Sequence, residues 1–252
     1  MREYRLLPSG AGEYARLANA SAGVRRELLP LVGFFSPDLG GDHLSTVTHF
    51  YSYPKGLDER AATRAKAAAD PRWQAFVDAS RPLVASQRNA ALVEWPSLYG
   101  PSGGAWRSAA EYAALQQQQQ QRQQHSGGDV DKDTSPAAVY EMRTYRLAAT
   151  ASIRRLVRAF EAGLAAKAAA ARRELGEAPG AAGELALFGS VEVGDLDTVV
   201  ELWRYPSAEA CARARRAARL APEWKDAVRS VAAGVSQFKV QLVRAEALSP
   251  MQ

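Results

Sequence analysis

The segment Leu44-Ser45-Thr46-Val47-Thr48-His49-Phe50-Tyr51-Ser52-Tyr53-Pro54 returns, with substitutions, as Leu196-Asp197-Thr198-Val199-Val200-Glu201-Leu202-Trp203-Arg204-Tyr205-Pro206. Each copy runs on into an Ala/Arg-rich stretch and then a Pro-x-Trp, Pro71-Arg72-Trp73 in the first and Pro222-Glu223-Trp224 in the second. Upstream, Arg2-Glu3-Tyr4-Arg5-Leu6 matches Arg143-Thr144-Tyr145-Arg146-Leu147. A period this long marks duplicated domains, not a solenoid of short repeats. The 252 residues therefore divide into two domains of roughly 100 residues, each able to bury a modest core and to gain by packing against the other. The expected bounds are 1–96 and 137–248, joined by a linker over 97–136.

Within each copy the hydrophobic period switches in the same order. In the second, Ala138 to Leu147 alternates as a strand, and Ile153, Leu156, Val157, Phe160 and Leu164 then recur at helical spacing. Leu185 to Val193 and Thr198 to Tyr205 read as strands about a Gly194-Asp195 turn. Ser207 caps a helix to about Leu220, Pro222 opens another, and Ser236 to Arg244 closes the copy as a strand. The first copy reads likewise: a strand at Arg2 to Leu6, a helix to Leu29, strands at Leu31 to Ser36 and Leu44 to Tyr53, helices over Leu57 to Ser86, and a strand at Asn89 to Glu94. The expected fold class is α+β: two tandem ferredoxin-like domains, each an antiparallel sheet with helices on one face. Two such sheets facing each other would enclose a shared barrel, within one chain or between two.

Between the copies the character changes. From Pro96 to Ser135 come Gly/Ser/Pro pairs, the tract Gln116 to Gln121, and His125-Ser126-Gly127-Gly128-Asp129. Such polar sequence cannot bury enough apolar area to offset the entropy of ordering, so a disordered poly-Gln linker is expected, with His125 an ordinary loop residue. Self-association of the Gln tract is the alternative.

A hydrophobic fraction of 47% suits a soluble globular protein, and nothing suggests a transmembrane segment. The net charge of +5 invites a nucleic-acid reading. Against it, the basic residues are dispersed over amphipathic helices, and the aromatic RNA-binding strand motif is absent, so no nucleic-acid partner is expected. Cys211 is the single cysteine, which precludes an internal disulfide and reads as a packed thiol. No Cys/His set has zinc spacing, no glycine-rich phosphate loop follows a strand, and no Gly-x-Ser-x-Gly elbow occurs. No metal and no cofactor are expected. The first residues read as a strand, and Glu3, Glu13 and Glu27 argue against an Arg-rich presequence.

The chain resembles the NIPSNAP family, of the dimeric α/β-barrel type. Its opening strand is matched by Tyr140-Glu141-Met142-Arg143-Thr144-Tyr145-Arg146-Leu147, and its second strand by Gly33-Phe34-Phe35-Ser36. The following helix is matched by Leu57, Arg60 and Arg64, then Pro71-Arg72-Trp73, Pro82-Leu83-Val84 and Arg88-Asn89. The third strand departs from the family's Val-x-His-x-Trp-x-Tyr: the first copy keeps His49 but has Tyr51 for Trp, and the second keeps Trp203 but has Glu201 for His. The resemblance implies tandem barrel domains and a non-catalytic interaction or scaffold role with protein partners, linked to mitochondrial quality control or vesicle traffic. It also implies a mitochondrial location, with a cytoplasmic one as the alternative, and no established reaction. The alternative function is a cofactor-free, monooxygenase-like enzyme that binds a small apolar ligand in the barrel.

Alternation puts Glu141, Arg143 and Tyr145 on one side of their strand, and Glu201, Trp203 and Tyr205 on one side of theirs. The first copy's sets are Arg2 with Tyr4, and His49, Tyr51 and Tyr53. If these faces meet across the barrel they line a pocket with aromatic walls and a few orienting polar groups. Otherwise they are packing residues whose polar tips reach the rim. No catalytic residue is assigned.

Overall fold

The switching periods resolve into two runs of the same elements in a computed structural model, which describes residues 1–41, 43–99, 138–176, 180 and 182–251. The first half comprises β1 (Arg2–Leu6), α1 (Ala11–Ala20), α2 (Ala22–Leu28), β2 (Leu31–Gly40), β3 (Thr46–Tyr51), α3 (Leu57–Ala69), α4 (Pro71–Ser80), β4 (Val84–Asn89) and β5 (Ala91–Glu94). The second comprises β6 (Val139–Leu147), α5 (Ile153–Leu175), β7 (Glu184–Val193), β8 (Thr198–Tyr205), α6 (Ala208–Ala218), α7 (Pro222–Ala232) and β9 (Val235–Ala245).

Local chemistry sets several of these bounds. The Asp70 carboxylate accepts from the Arg72 amide at 2.9 Å and Pro71 takes the first helical position, which starts α4. Ser207 does the same for α6, its hydroxyl accepting from the Ala210 amide at 3.1 Å. The single helix expected up to Leu29 is broken at Ser21, in a run of Asn, Ser and Gly that propagates a helix poorly. The helical reading to Ser86 overshoots: α4 stops at Ser80, Pro82 has no amide with which to continue its ladder, a single 3-10 turn over Arg81–Leu83 follows, and the chain is extended from Val84.

That extended run closes the fold. Val84–Asn89 pairs with β1, with Asn89 opposite Arg2, and after Ala90 the same run pairs with β7, with Ala91 opposite Val193. β9 is its counterpart, pairing with β6 in its own half and with β2 in the other, where Ala245 lies opposite Phe35. The nine-stranded order β4-β1-β3-β2-β9-β6-β8-β7-β5 therefore begins and ends in one stretch of chain, and the antiparallel sheet closes on itself within one molecule.

Three cores follow. Inside the barrel lie Phe35, Phe50, Tyr140, Met142, Leu187 and Leu202. Outside it, Tyr14, Phe34, Trp73 and Phe76 join sheet to helices in the first half, and Phe160, Phe188, Trp203 and Trp224 do so in the second. Each large side chain so buried contributes about 1.5–3 kcal/mol. The α5–α7 contact is close enough to need glycine, since a Cβ on Gly163 would lie 2.6 Å from that of Ala227.

Beyond β5 the chain stays attached to the second half. Trp95 Nε1 donates to Ser190 Oγ at 3.0 Å, the Tyr99 hydroxyl accepts from the Phe188 amide at 3.0 Å, and Leu98 is buried. The first residues of the expected linker are thus ordered. The rest of it, with the Gln tract and His125, lies outside the described residues. Among the described residues, no helix is long and apolar enough to cross a membrane.

Candidate functional site

The strands carry the expected side-chain sets, but on the opposite face from the barrel interior. Tyr140, Met142, Val200 and Leu202 point inward, so Glu141, Arg143, Tyr145, Glu201, Trp203 and Tyr205 point outward, under the helices. Likewise Phe50 points inward, while His49 and Tyr51 face the first half's helices. The reversal of faces has a simple cause. Both faces of this sheet are covered, so alternation separates two sets of residues without saying which set meets the barrel. The two sets also do not meet each other; each half gathers its own.

In the second half, β6 and β8 place Arg143 opposite Glu201. Arg143 Nη2 donates to Glu141 at 2.8 Å and Nη1 lies 3.6 Å from Glu201. The Tyr145 hydroxyl donates to Glu201 at 2.5 Å, and Trp203 Nε1 donates to its other oxygen. Arg215 of α6 reaches Glu141 at 3.3 Å. Burial works to raise the Glu201 pKa, but Arg143 and Lys167 beside it pull it below the ordinary carboxylate value. Burial also pushes the Cys211 thiol up to about 12, which fits the packed thiol.

One residue of this cluster was not singled out from sequence. Lys167 lies on the buried face of α5, 3% exposed, with its ammonium 3.0 Å above the Trp203 ring and no hydrogen-bond partner among the described residues. Burial and the neighbouring Arg143 bring its pKa down to about 7. The signal was present in the sequence: Lys167 falls in step with Leu156, Phe160 and Gly163 on the apolar stripe.

Above these groups a cavity of about 530 Å³ opens between β6, β9 and helices α5 to α7. Its walls are Phe160, Trp224, Val228, Val231 and Phe238, and its charged lining is Arg143, Lys167, Arg215 and Arg219, with no carboxylate among the described residues that line it. Tyr145 and Phe238 stack at 4.8 Å along one side.

The first half fills the corresponding space. Phe76 stands where the second half has Ala227, and Tyr14 is fully buried. Arg25 of α2 lies over Trp73, 4.9 Å from its centroid, and donates to the Tyr51 hydroxyl at 2.8 Å. His49 stacks on Phe34 at 4.2 Å, its Nδ1 3.3 Å from the Tyr51 hydroxyl. Burial, then Arg25, Arg2 and Arg64, push its pKa well below the usual value, so the ring is neutral. Tyr53 lies at the edge of this group, beside Arg64. Among the described residues no His/Cys/Asp/Glu group could hold a metal ion.

Fold and site together define a duplicated α+β barrel protein with a cationic, aromatic-walled cavity between sheet and helices. The NIPSNAP family profile matches residues 1–97 and 140–250, and the chain belongs to that family. A "putative monooxygenase" from Lactobacillus acidophilus shares the fold over 97% of this chain and 91% of its own, with a TM-score of 0.52 at 10% identity. A second "putative monooxygenase", from Fusobacterium nucleatum, has a TM-score of 0.51 at 6% identity and covers 97% of this chain and 90% of that one. A NIPSNAP family protein of unknown function from Agrobacterium tumefaciens covers 46% of this chain and 95% of its own, with 22% identity and a TM-score of 0.37. No curated protein matches the chain.

Proposed function

We propose that this protein binds a small apolar monoanion, such as an aromatic carboxylate, in the second-half cavity. The observation that carries this is the buried Lys167 ammonium, left without a hydrogen-bond partner among the described residues at the floor of a cavity of about 530 Å³. An unpaired buried cation is costly unless something pairs with it, and the size and apolar walls are those of a small-molecule site. Arg143 and Arg215 are already committed to Glu141 and Glu201, and Arg219 is exposed at the wall, which leaves Lys167 as the buried group with charge to offer. The reading is one of binding. Oxygenase chemistry belongs, on present names, to proteins that share the fold at 10% and 6% identity.

The test is titration with 1-naphthoate, followed by the fluorescence of Trp224 and Trp203 beside the cavity. Saturable quenching is expected, weakened at least about tenfold in Lys167→Met and for the uncharged 1-naphthalenemethanol, since a buried charge pair is worth 1.4 kcal/mol or more. Equal binding by wild type and Lys167→Met would overturn the reading. An interaction or scaffold role, with mitochondrial residence and a part in quality control or vesicle traffic, rests on the family alone. The cavity is a property of this chain, and for that reason the ligand reading comes first.

A further inference from the structure

The two halves balance their charges differently. In the second, the pair Arg143 opposite Glu201 on β6 and β8 is an ion pair, and Arg215 is offset by Glu141. In the first, the same register places Arg2 opposite His49, which is neutral, and Arg64 stands where the second half has Arg215. Arg60, one turn before Arg64 on α3, stands where the second half has Cys211. Among the described residues no carboxylate pairs with Arg2, Arg60 or Arg64.

All three guanidiniums line a second cavity, of about 470 Å³, at the end of β3 where the 84–94 run turns from one half to the other. They lie near enough to repel: Arg2 acts with burial to lower the pKa of Arg64. Tyr51, Tyr53 and Phe50 supply aromatic walls, and Gly56, at φ +90, turns the chain into the start of α3 at the rim. Two carboxylates also line the cavity. Glu94 is held by the Tyr99 hydroxyl at 3.0 Å, and Glu192 is exposed; neither is ion-paired with the arginines.

We infer that this first-half cavity is an anion site, distinct from the Lys167 cavity, that takes the phosphate of a small phosphomonoester. Three forked guanidiniums against two lining carboxylates leave an excess of positive charge, and their planar donors match the terminal oxygens of a phosphate. The aromatic walls and the volume leave room for the ester's organic body.

Calorimetric titration with phenyl phosphate, inorganic phosphate and benzoate, in low-salt buffer, tests it. Phenyl phosphate is expected to bind saturably, inorganic phosphate more weakly and benzoate weakest at this site. Arg60→Met and Arg64→Met, each checked for fold by circular dichroism, should weaken phenyl phosphate at least about tenfold. Arg2→Met serves if either fails to fold. In Lys167→Met, whose own cavity has lost its cation, a saturable phenyl phosphate site that Arg60→Met and Arg64→Met weaken should persist, so failure of this site and failure of the Lys167 site are separately visible. No saturable phenyl phosphate binding, undiminished binding in the arginine variants, or loss of binding in Lys167→Met would each overturn the inference.

Discussion

Lys167 shows at the scale of one residue how a misplaced charge can be read. Its folded pKa of about 7 lies below the 10.5 of a free lysine, because burial and Arg143 disfavour the ammonium. Between those values the unfolded chain holds a proton that the folded one has released, so stability rises with pH across this window. Below about pH 7 both states are protonated and the full cost of burying the charge is present. The slope contributed is at most about 1.4 kcal/mol per pH unit. Denaturant unfolding of wild type and Lys167→Met at pH 7.5 and about 9.5 should therefore show wild type gaining on the variant as pH rises. Parallel pH profiles would mean that Lys167 is solvated or paired. Saturating 1-naphthoate should flatten the wild-type slope, because a bound anion restores the ammonium.

At the scale of elements, some bounds were legible and others were not, for reasons particular to each. β8 runs Thr198–Tyr205, as its alternation indicates, because every second residue is held under the helices and the rest fill the barrel. Alternation could not say which face was which, and so the barrel was expected to be lined by Arg143 and Glu201 when it is lined by Met142 and Leu202. Only the start of the run from Val84 reads as helix, to Ser86, because Val84-Ala85-Ser86 carries no period of two, whereas Asn89 to Glu94 reads as a strand. Its strand character comes from pairing with β1 and β7, which are distant in sequence. The α5–α7 contact is also tertiary in origin. Alanine is the better helix former by about 1 kcal/mol, yet Gly163→Ala is expected to destabilise the fold by a net 1–3 kcal/mol or so, because its Cβ would collide with Ala227 and the Trp224 ring. Thermal unfolding checks this; an unchanged or raised midpoint would show that the two helices separate freely.

At the scale of the molecule, each half lends a strand to the other. β5 completes the sheet of the second half and β9 that of the first. A chain of residues 138–251 alone has an unsatisfied partner for β9 and an uncovered inner face bearing Tyr140, Met142 and Leu202. It is expected to sediment as a homodimer instead of a monomer, which analytical ultracentrifugation decides, since exposing that face and strand costs more than association does. The closure within one chain has a genetic consequence as well. In a barrel made of two identical chains, every substitution is made twice, once on each side of the two-fold axis, and a residue useful on one side must be tolerable on the other. With both halves on one polypeptide, the codon for His49 and the codon for Glu201 answer to separate selection, and one lineage can carry two different chambers in a single shell.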